Sequence, residues 1–406
     1  MSSVTNNHSE ARQQMQTIAV VGVVHGISHF YQLVLPALYP WLMGAFGLSF
    51  TQVGVAMTTF FVVSGFGQSM AGILVDRYGA QRVLMVGLAL LGAATLVLAA
   101  AASYGGLLLA GALAGMGNAV FHPADFSLLN HRISTSRLSH AFSIHGVSGG
   151  IGWAAAPLTM ALLANHGHWQ MAALGASLVA VVGILLLALA GPGNEAHVSS
   201  AGEAMGKVAG TLDFLQVRAV WLCFAFFALT AMALGALQNY LPAAGSHMFG
   251  LPAAGAALAL TAYMLGNAAG TLTGGFVAAG GASRDGVVAS MLGFAAVLAA
   301  VVATGWVPAW SVAPMLGLIG FAAGMAGPSR DLMVRHAATA RFGKAAYGSI
   351  YGFVYSGLDV GMAMAPLVFG PLMDKSVFVA PLIGVAVLQT GAALTALTIG
   401  KAVPLK

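Results

Sequence analysis

Charge is what this sequence lacks most. Its 406 residues include only 15 Lys and Arg and 10 Asp and Glu, which is 6% charged residues against 59% hydrophobic ones. A soluble globular chain carries about a quarter charged residues. The few charged residues of this chain could not cover a water-exposed surface of this size. The mean hydropathy of +0.89 agrees. These values predict a polytopic membrane protein surrounded by a lipid bilayer.

Other absences narrow the class further. Cys223 is the only cysteine, which excludes an intrachain disulfide and a metal site built on several thiolates. Residues 1–16 lack a basic region followed by a cleavage site, so they predict a cytoplasmic tail rather than a signal peptide. The formal net charge of +5 would favour anionic partners on a soluble surface, but in a membrane protein its placement matters more. We expect no nucleic-acid partner.

Helices are favoured over a β-barrel. The alternation of apolar and polar residues over about ten positions that marks a membrane barrel is absent. Glycine, in contrast, is abundant at 54 residues, and small residues let membrane helices approach closely. Gly, Pro and charge clusters divide the chain into twelve segments of spanning length. The predicted spans are 17–43, 50–74, 83–101, 105–129, 138–163, 169–190, 217–243, 251–279, 285–304, 309–333, 344–371 and 377–399.

The basic residues predict the orientation. With an even number of spans both termini share one side, and alternate loops then hold fourteen of the 15 Lys and Arg on that side. Only Lys375 falls on the other. Because basic residues are retained in the cytoplasm, both termini are predicted to be cytoplasmic.

The chain also repeats. One long polar stretch, 191–216, lies near the midpoint and predicts a cytoplasmic linker between bundles 1–190 and 217–406. Span four ends in GMGNAVFHPADF and span ten in GMAGPSRD, so that Pro123 corresponds to Pro328. Span five contains AAPL where span eleven contains MAPL. Two pseudo-symmetric six-helix bundles with polar residues in corresponding spans are typical of a secondary transporter.

A known signature lies between spans two and three. The sequence GILVDRYGAQRVL resembles the loop signature of the major facilitator superfamily, and the twelve-span plan extends the resemblance over nearly the whole chain. It implies the major facilitator fold, a functional monomer, and a gate motif on the cytoplasmic side. The matching residues are Gly72, Asp76, Arg77, Gly79 and Arg82.

Three further stretches resemble the fosmidomycin-resistance efflux family within that superfamily. They are HGISHFYQLVLPALYPWL at 25–42, LSFTQVG at 48–54 and GMGNAVFHPA at 115–124. The resemblance implies proton-coupled export of a small organic compound across the inner (plasma) membrane, with no cofactor. The alternative is a proton-coupled importer, or symporter, of a small organic anion.

Titratable side chains at similar predicted depth are the candidate proton site. At about 1.5 Å per residue, His25 and His29 lie roughly 12 and 18 Å from the start of span one, one turn apart. His122 and Asp125 fall in the cytoplasmic half of span four, and His145 falls in that of span five. These residues predict a proton-coupling and anion-binding cluster. The alternative is that each histidine only locks helix packing; a metal held by His25 and His29 is possible geometrically, but without a thiol or an HExxH pattern we expect none.

Asp125 has a competing role. At the inner face it is predicted to lie within reach of Arg77 or Arg82 and to help close the cytoplasmic gate. Arg330 and Asp331 end span ten at the matching depth and predict a second salt-bridged gate.

The second half supplies further candidates for the substrate and proton pathway. Asp359 lies near the middle of span eleven, where an acid is a coupling candidate. Gln238 and Asn239 of span seven offer neutral hydrogen-bonding groups to a substrate.

Two other function classes, an intramembrane protease and a membrane receptor, are not favoured by the sequence. Residues 146–149, GVSG, fit the serine motif of intramembrane rhomboid proteases, but four residues in a glycine-rich helix do not predict an enzyme. A membrane receptor would need a soluble output domain, and the sequence predicts none.

Overall fold

The computed structural model describes residues 2–166, 168–190, 216–279, 284–342 and 347–402. Within these ranges the chain forms fourteen helices and no strand, which confirms the all-α prediction. They are α1 Ser2–Ala37, α2 Tyr39–Phe46, α3 Phe50–Tyr78, α4 Ala80–Ala99, α5 Tyr104–Asn118, α6 Phe121–Arg132, α7 Thr135–His166, α8 Trp169–Leu189, α9 Arg218–Phe249, α10 Ala253–Ala279, α11 Arg284–Ala303, α12 Ala309–Phe342, α13 Tyr347–Asp374 and α14 Ala380–Ala402.

The helices match the predicted spans. Eleven segments of the described chain are long and apolar enough to cross a membrane. The remaining predicted span is α10, whose 27 residues are rich in Gly, Ala and Thr. Predicted span one corresponds to α1 and α2 together, and span four to α5 and α6 together.

A proline lies close to the interruption of span four. Pro123 has no amide hydrogen to donate, and its ring would clash with the carbonyl four residues earlier, that of Ala119. Ala119 and Val120 form a turn between the end of α5 and the start of α6, and both keep right-handed helical backbone angles. The interruption is therefore slight.

Contacts divide the chain into two compact units, each described by itself. The first comprises residues 1–38 and 62–201, and the second comprises 39–61 and 202–406. Residues 39–61 hold α2 and the start of α3. The predicted linker 191–216 falls, except for its last residue, outside the described residues.

In the first unit α1 is the central helix. In its most apolar window 83% of the residues are buried, against 28–50% for the other candidate spans of the chain. It packs closely on α7, where Gly26 and Gly152 bring the two backbones together so that a Cβ on Gly152 would overlap the Gly26 carbonyl. This contact fixes the α1 histidines against α7.

In the second unit α10 and α12 interlock through small residues four apart. Cβ atoms added to Gly266, Gly270 or Gly274 would overlap the backbone of α12, and additions to Gly320 or Gly324 would overlap that of α10. Such small-residue stripes supply close packing where lipid gives helices no hydrophobic reason to associate.

A carboxylate from α13 caps the start of α3 within the second unit. Asp374 accepts hydrogen bonds from the Phe50 amide at 2.6 Å and from the Thr51 amide at 3.1 Å, and the Thr51 hydroxyl donates to it at 2.5 Å. Tyr240 of α9 donates to the carbonyls of Phe50 and Pro366 at 3.3 and 3.2 Å. Amides at a helix N-terminus have no partner within the helix, so this cap satisfies groups that would otherwise stay unpaired.

The cytoplasmic position of 191–216 stays a prediction, and one cysteine tests it. Ser200→Cys in a Cys223→Ala background is expected to react with a membrane-impermeant maleimide only after the cells are opened, because a cytoplasmic loop is shielded in intact spheroplasts. Labelling of intact spheroplasts would reverse the orientation and every depth derived from it.

Candidate functional site

Three helices of the first unit bring the predicted titratable residues together. His25 and His29 lie one turn apart on α1, and α6 carries His122 and Asp125, which contact them. His145 approaches from α7. The four imidazoles have ring centroids between 3.5 and 6.3 Å apart in the pairs that touch.

Asp125 is the centre of this group. Its side chain has no exposed surface, and one oxygen, Oδ2, accepts hydrogen bonds from His25 Nδ1 at 3.0 Å and from His145 Nε2 at 3.1 Å. The rings of His25 and His145 stack with centroids 3.5 Å apart. Because an isolated buried carboxylate is costly, a proton on either imidazole would neutralise the group in place.

The group has an open side and an unused acceptor. His122 lies 5.3 Å from His25, ring to ring, and its side chain is exposed. Asp125 Oδ1 is buried and has no hydrogen-bond partner among the described residues. The cluster therefore combines an enclosed carboxylate with one imidazole at its edge.

A chain of neutral polar groups continues from the cluster. The Trp153 ring packs on His29 at 4.3 Å, and its Nε1 donates to Gln32 Oε1 at 2.8 Å. Gln32 Nε2 donates to Asn118 Oδ1 at 3.0 Å, and Asn118 Nδ2 donates to Ser64 Oγ at 2.8 Å. Every donor points the same way, so the four side chains hold one another in fixed orientations.

This polar chain was not predicted from the sequence. A usable signal existed, because Gln32 follows His29 by three residues and therefore shares its face of the helix. Asn118 likewise precedes His122 by four residues, across the break in the helix. Trp153 and Ser64 carry no such local signal, since only packing brings them to the site.

Gly149 makes room for the histidines, and this accounts for part of the GVSG sequence. A Cβ at Gly149 would lie 2.8 Å from two atoms of the His29 ring and 3.1 Å from His25 Nε2. Ser148 Oγ donates to the backbone carbonyl of His145 at 2.7 Å. The serine of this motif is thus engaged with its own helix, and the motif serves packing.

Three described side chains could together offer ligands to a metal ion. They are His25, Asp125 and His145, whose ligand atoms lie within 4.8 Å of one another. The pair considered from the sequence, His25 with His29, is not this set. Because both nitrogens already face the same carboxylate oxygen at hydrogen-bonding distance, a hydrogen-bonded triad accounts for the geometry, and no metal enters the function proposed below.

The expected contact of Asp125 with Arg77 or Arg82 is not formed. In the described part of the chain its ion pairs go to His25 and His145. The Asp125 side chain is fully buried against histidines of α1 and α7 instead. The partners predicted for a gate role of Asp125 therefore have to be corrected.

The loop signature itself connects α3 to α4. Gly79 joins the two helices with φ of 85°, a left-handed conformation that glycine adopts without strain. Gly72, Asp76, Arg77 and Arg82 are all exposed at this end of the helices, and the Arg77 guanidinium lies over the Tyr78 ring at 5.3 Å. Their role as a gate stays a prediction.

Asp76→Asn tests that gate. Removing the charge while keeping the shape of an exposed side chain should leave folding intact, but we expect turnover to fall at least about fivefold because one conformational state loses a favourable interaction. Transport rates per folded protein, measured after size-exclusion chromatography, check this. Wild-type turnover in a well-inserted variant would contradict the gate role.

The candidates of the second half have varied surroundings. Asn239 is buried; its Oδ1 accepts from the Tyr39 hydroxyl at 2.9 Å and its Nδ2 donates to the Gly235 carbonyl at 2.8 Å. Gln238 is also buried, and its Nε2 has no partner among the described residues. Asn239 therefore has a structural task, whereas Gln238 keeps a free donor.

Asp359 and the predicted second gate lie elsewhere in the same unit. Asp359 is half-buried on α13. The Arg330 guanidinium lies over the Phe227 ring at 4.7 Å. The side chain of Asp331 lies outside the described residues, so the predicted gate of Arg330 and Asp331 stays a prediction.

The chain is similar in sequence to two bacterial proteins. The chain is 29% identical over 270 residues to the fosmidomycin resistance protein of Escherichia coli K12, a match that covers 66% of each chain. It is 30% identical over 197 residues to the MFS-type transporter YfnC of Bacillus subtilis 168, covering 48% of this chain and 47% of that one. These matches span less than two thirds of either relative's length.

Solved structures share the fold. A bacterial homologue of the human lysosomal transporter Spinster, in an inward-facing and occupied conformation, superposes with a TM-score of 0.72 at 13% identity, covering 95% of this chain and 94% of that one. The same protein in an inward-facing and unoccupied conformation gives 0.70 at 13% identity, with coverage of 96% and 95%. The sequence profile of the Major Facilitator Superfamily matches residues 19–366. The chain is therefore a multi-pass membrane protein with the major facilitator fold, and it belongs to the Major Facilitator Superfamily.

Proposed function

We propose that this protein is a secondary transporter that exports a small organic compound in exchange for protons. The observation that carries the proposal is the enclosed carboxylate of Asp125, held by the imidazoles of His25 and His145. The name of the Escherichia coli relative supports efflux. The proposal includes an inner-membrane location, cytoplasmic termini, bundles 1–190 and 217–406, and a functional monomer.

The cluster suits proton exchange for an electrostatic reason. A coupling group has to bind a proton in one conformational state and release it in the other. The carboxylate with two imidazoles can hold one extra proton without leaving an unpaired buried charge, and histidine changes charge near neutral pH. His122, exposed at the edge of the cluster, is the group through which a proton would enter or leave.

The polar chain beside the cluster gives the substrate a second set of contacts. Gln32 and Asn118 hold their amide groups in fixed orientation, and Trp153, which packs on His29, offers a rigid aromatic surface. A compound with a small polar or anionic group fits these donors. Transport assays with candidate compounds identify the substrate.

Vesicles of both orientations test the function and its direction. Inverted vesicles with an acidic interior are expected to accumulate an exported substrate, starting with fosmidomycin, as protons leave. Accumulation in right-side-out vesicles with an acidic exterior instead would establish the importer or symporter alternative. Equal uptake with and without a pH gradient in both preparations would refute proton coupling.

A further inference from the structure

A cavity lies between α9 and α13 of the second unit. Its volume is about 610 Å³. The lining includes Arg218, Trp221, Phe224, Met232, Gly361 and Met364. The function proposed above uses none of these residues.

The shape of the cavity follows from close helix packing beneath it. Gly357 and Gly361 let α13 approach the α9 backbone so closely that a Cβ on Gly361 would overlap the Ala228 carbonyl. Larger side chains beside this contact, including Val360 and Met364, are 44% and 43% exposed and form the wall of a groove. The groove is thus a fixed feature of the pair of helices.

The groove is basic at one end and apolar along the rest of its length. Among the described residues that line it, Arg218, the first residue of α9, is the only charged one, and the others are apolar. Trp221 stands one turn further along α9 and is 48% exposed. An aromatic ring beside a basic residue at the end of a membrane helix is typical of the headgroup region.

The length of the groove matches one leaflet of a bilayer. From Arg218 to Met232 are fourteen residues, which span about 21 Å at 1.5 Å per residue. One leaflet, including its headgroup region, is about 20–22 Å thick. A molecule that follows the groove from Arg218 would therefore reach the middle of the bilayer.

We propose that this groove binds an anionic phospholipid, with one acyl chain along the apolar walls and the phosphate group at Arg218. The arginine supplies the charge that a phosphate requires and can donate two hydrogen bonds to it. A zwitterionic lipid with the same chains gains less, because its own cation offsets the phosphate. Neither proton coupling nor the direction of transport enters this argument.

The test counts lipid bound to the full-length purified protein. Native mass spectrometry is carried out after exchange into detergent with phosphatidylglycerol or phosphatidylcholine of identical chains. We expect at least about fivefold stronger retention of phosphatidylglycerol, and loss of that preference in Arg218→Gln. Arg137→Gln, which removes the charge of an exposed arginine at the start of α7, is the matched control and should retain the preference.

A second variant tests the groove without changing the charge. Ala225→Phe fills the lining and should also release the lipid, whereas Val297→Phe on the exposed face of α11 should not. Equal retention of both lipids by the wild type, or unchanged retention in both Arg218→Gln and Ala225→Phe, would overturn the proposal. Displacement of the lipid by inorganic phosphate alone, or by a water-soluble aromatic anion alone, would also overturn it, because the site would then belong to a soluble ligand.

Discussion

Asp125→Asn is expected to lower gradient-driven accumulation strongly while the protein remains folded. Asparagine has nearly the same shape and can still accept one hydrogen bond, but it cannot take the negative charge that lets His25 or His145 hold a proton. The two conformational states then no longer differ in proton affinity. We expect accumulation to fall about 5- to 150-fold, the usual range for the coupling between two sites.

Substrate binding separates coupling from simple damage. Asp125→Asn should bind substrate in the absence of a gradient and exchange labelled for unlabelled substrate, since neither process consumes a proton gradient. His145→Gln and His122→Gln, each able to keep one hydrogen bond, should likewise retain binding, lose proton-driven accumulation and flatten the pH profile. His247→Gln, which removes an imidazole stacked on Phe378 in the second unit, is the matched control.

An unchanged pH profile in both histidine variants and in their double variant would show that these histidines are structural. The search for the proton site would then move to Asp359. Loss of folded protein in place of altered coupling would support the packing alternative for the histidines.

Gly152→Val prevents the first unit from packing. The Cβ of the new side chain would overlap the Gly26 carbonyl oxygen. A backbone group at a helix contact cannot move aside as a flexible side chain can. Overpacking a well-filled interior costs about 1–3 kcal/mol or more, and here it also separates the two helices that carry His25 and His145. We expect little or no monodisperse protein after purification.

Two variants on the same helix calibrate this result. Gly146→Val lies on α7 where nothing is within 4 Å of the added Cβ, so the folded yield should match the wild type. Gly149→Ala is intermediate, because its Cβ pushes against the His29 ring; it should fold, with transport reduced. Wild-type yield and melting temperature in Gly152→Val would contradict the close α1–α7 contact.

Much of the fold could be predicted because its signals are local. Length, hydropathy and helix breakers specify the spans, whereas the interruption within span four was not predicted. The predicted depth of each histidine, which places them at similar levels, uses helical rise alone. The assembly of His25, His122 and His145 with Asp125 was therefore within reach of the sequence.

The hydrogen-bond partners of Asp125 could not be predicted from the sequence. Depth along a helix says nothing about rotation around its axis, and rotation is set by packing such as the contact of Gly26 with Gly152. The same limit explains why Arg77 and Arg82 were expected beside this carboxylate. Trp153 and Ser64 were missed because a single indole or hydroxyl in an apolar helix is ordinary until its neighbours are known.

The cap that Asp374 forms on α3 bears on how this protein can be divided into separately expressed fragments. A transporter with two repeated halves can be expressed as two fragments from a gene divided within 191–216. The second unit, however, includes residues 39–61, and a fragment beginning at 217 would leave Asp374 without the Phe50 and Thr51 amides and Tyr240 without the Phe50 carbonyl. Since α3 runs unbroken from Phe50 to Tyr78, those residues cannot be transferred without dividing a helix. Each fragment therefore depends on the other to complete its fold, and co-expression, rather than mixing after purification, is the route to a working split protein.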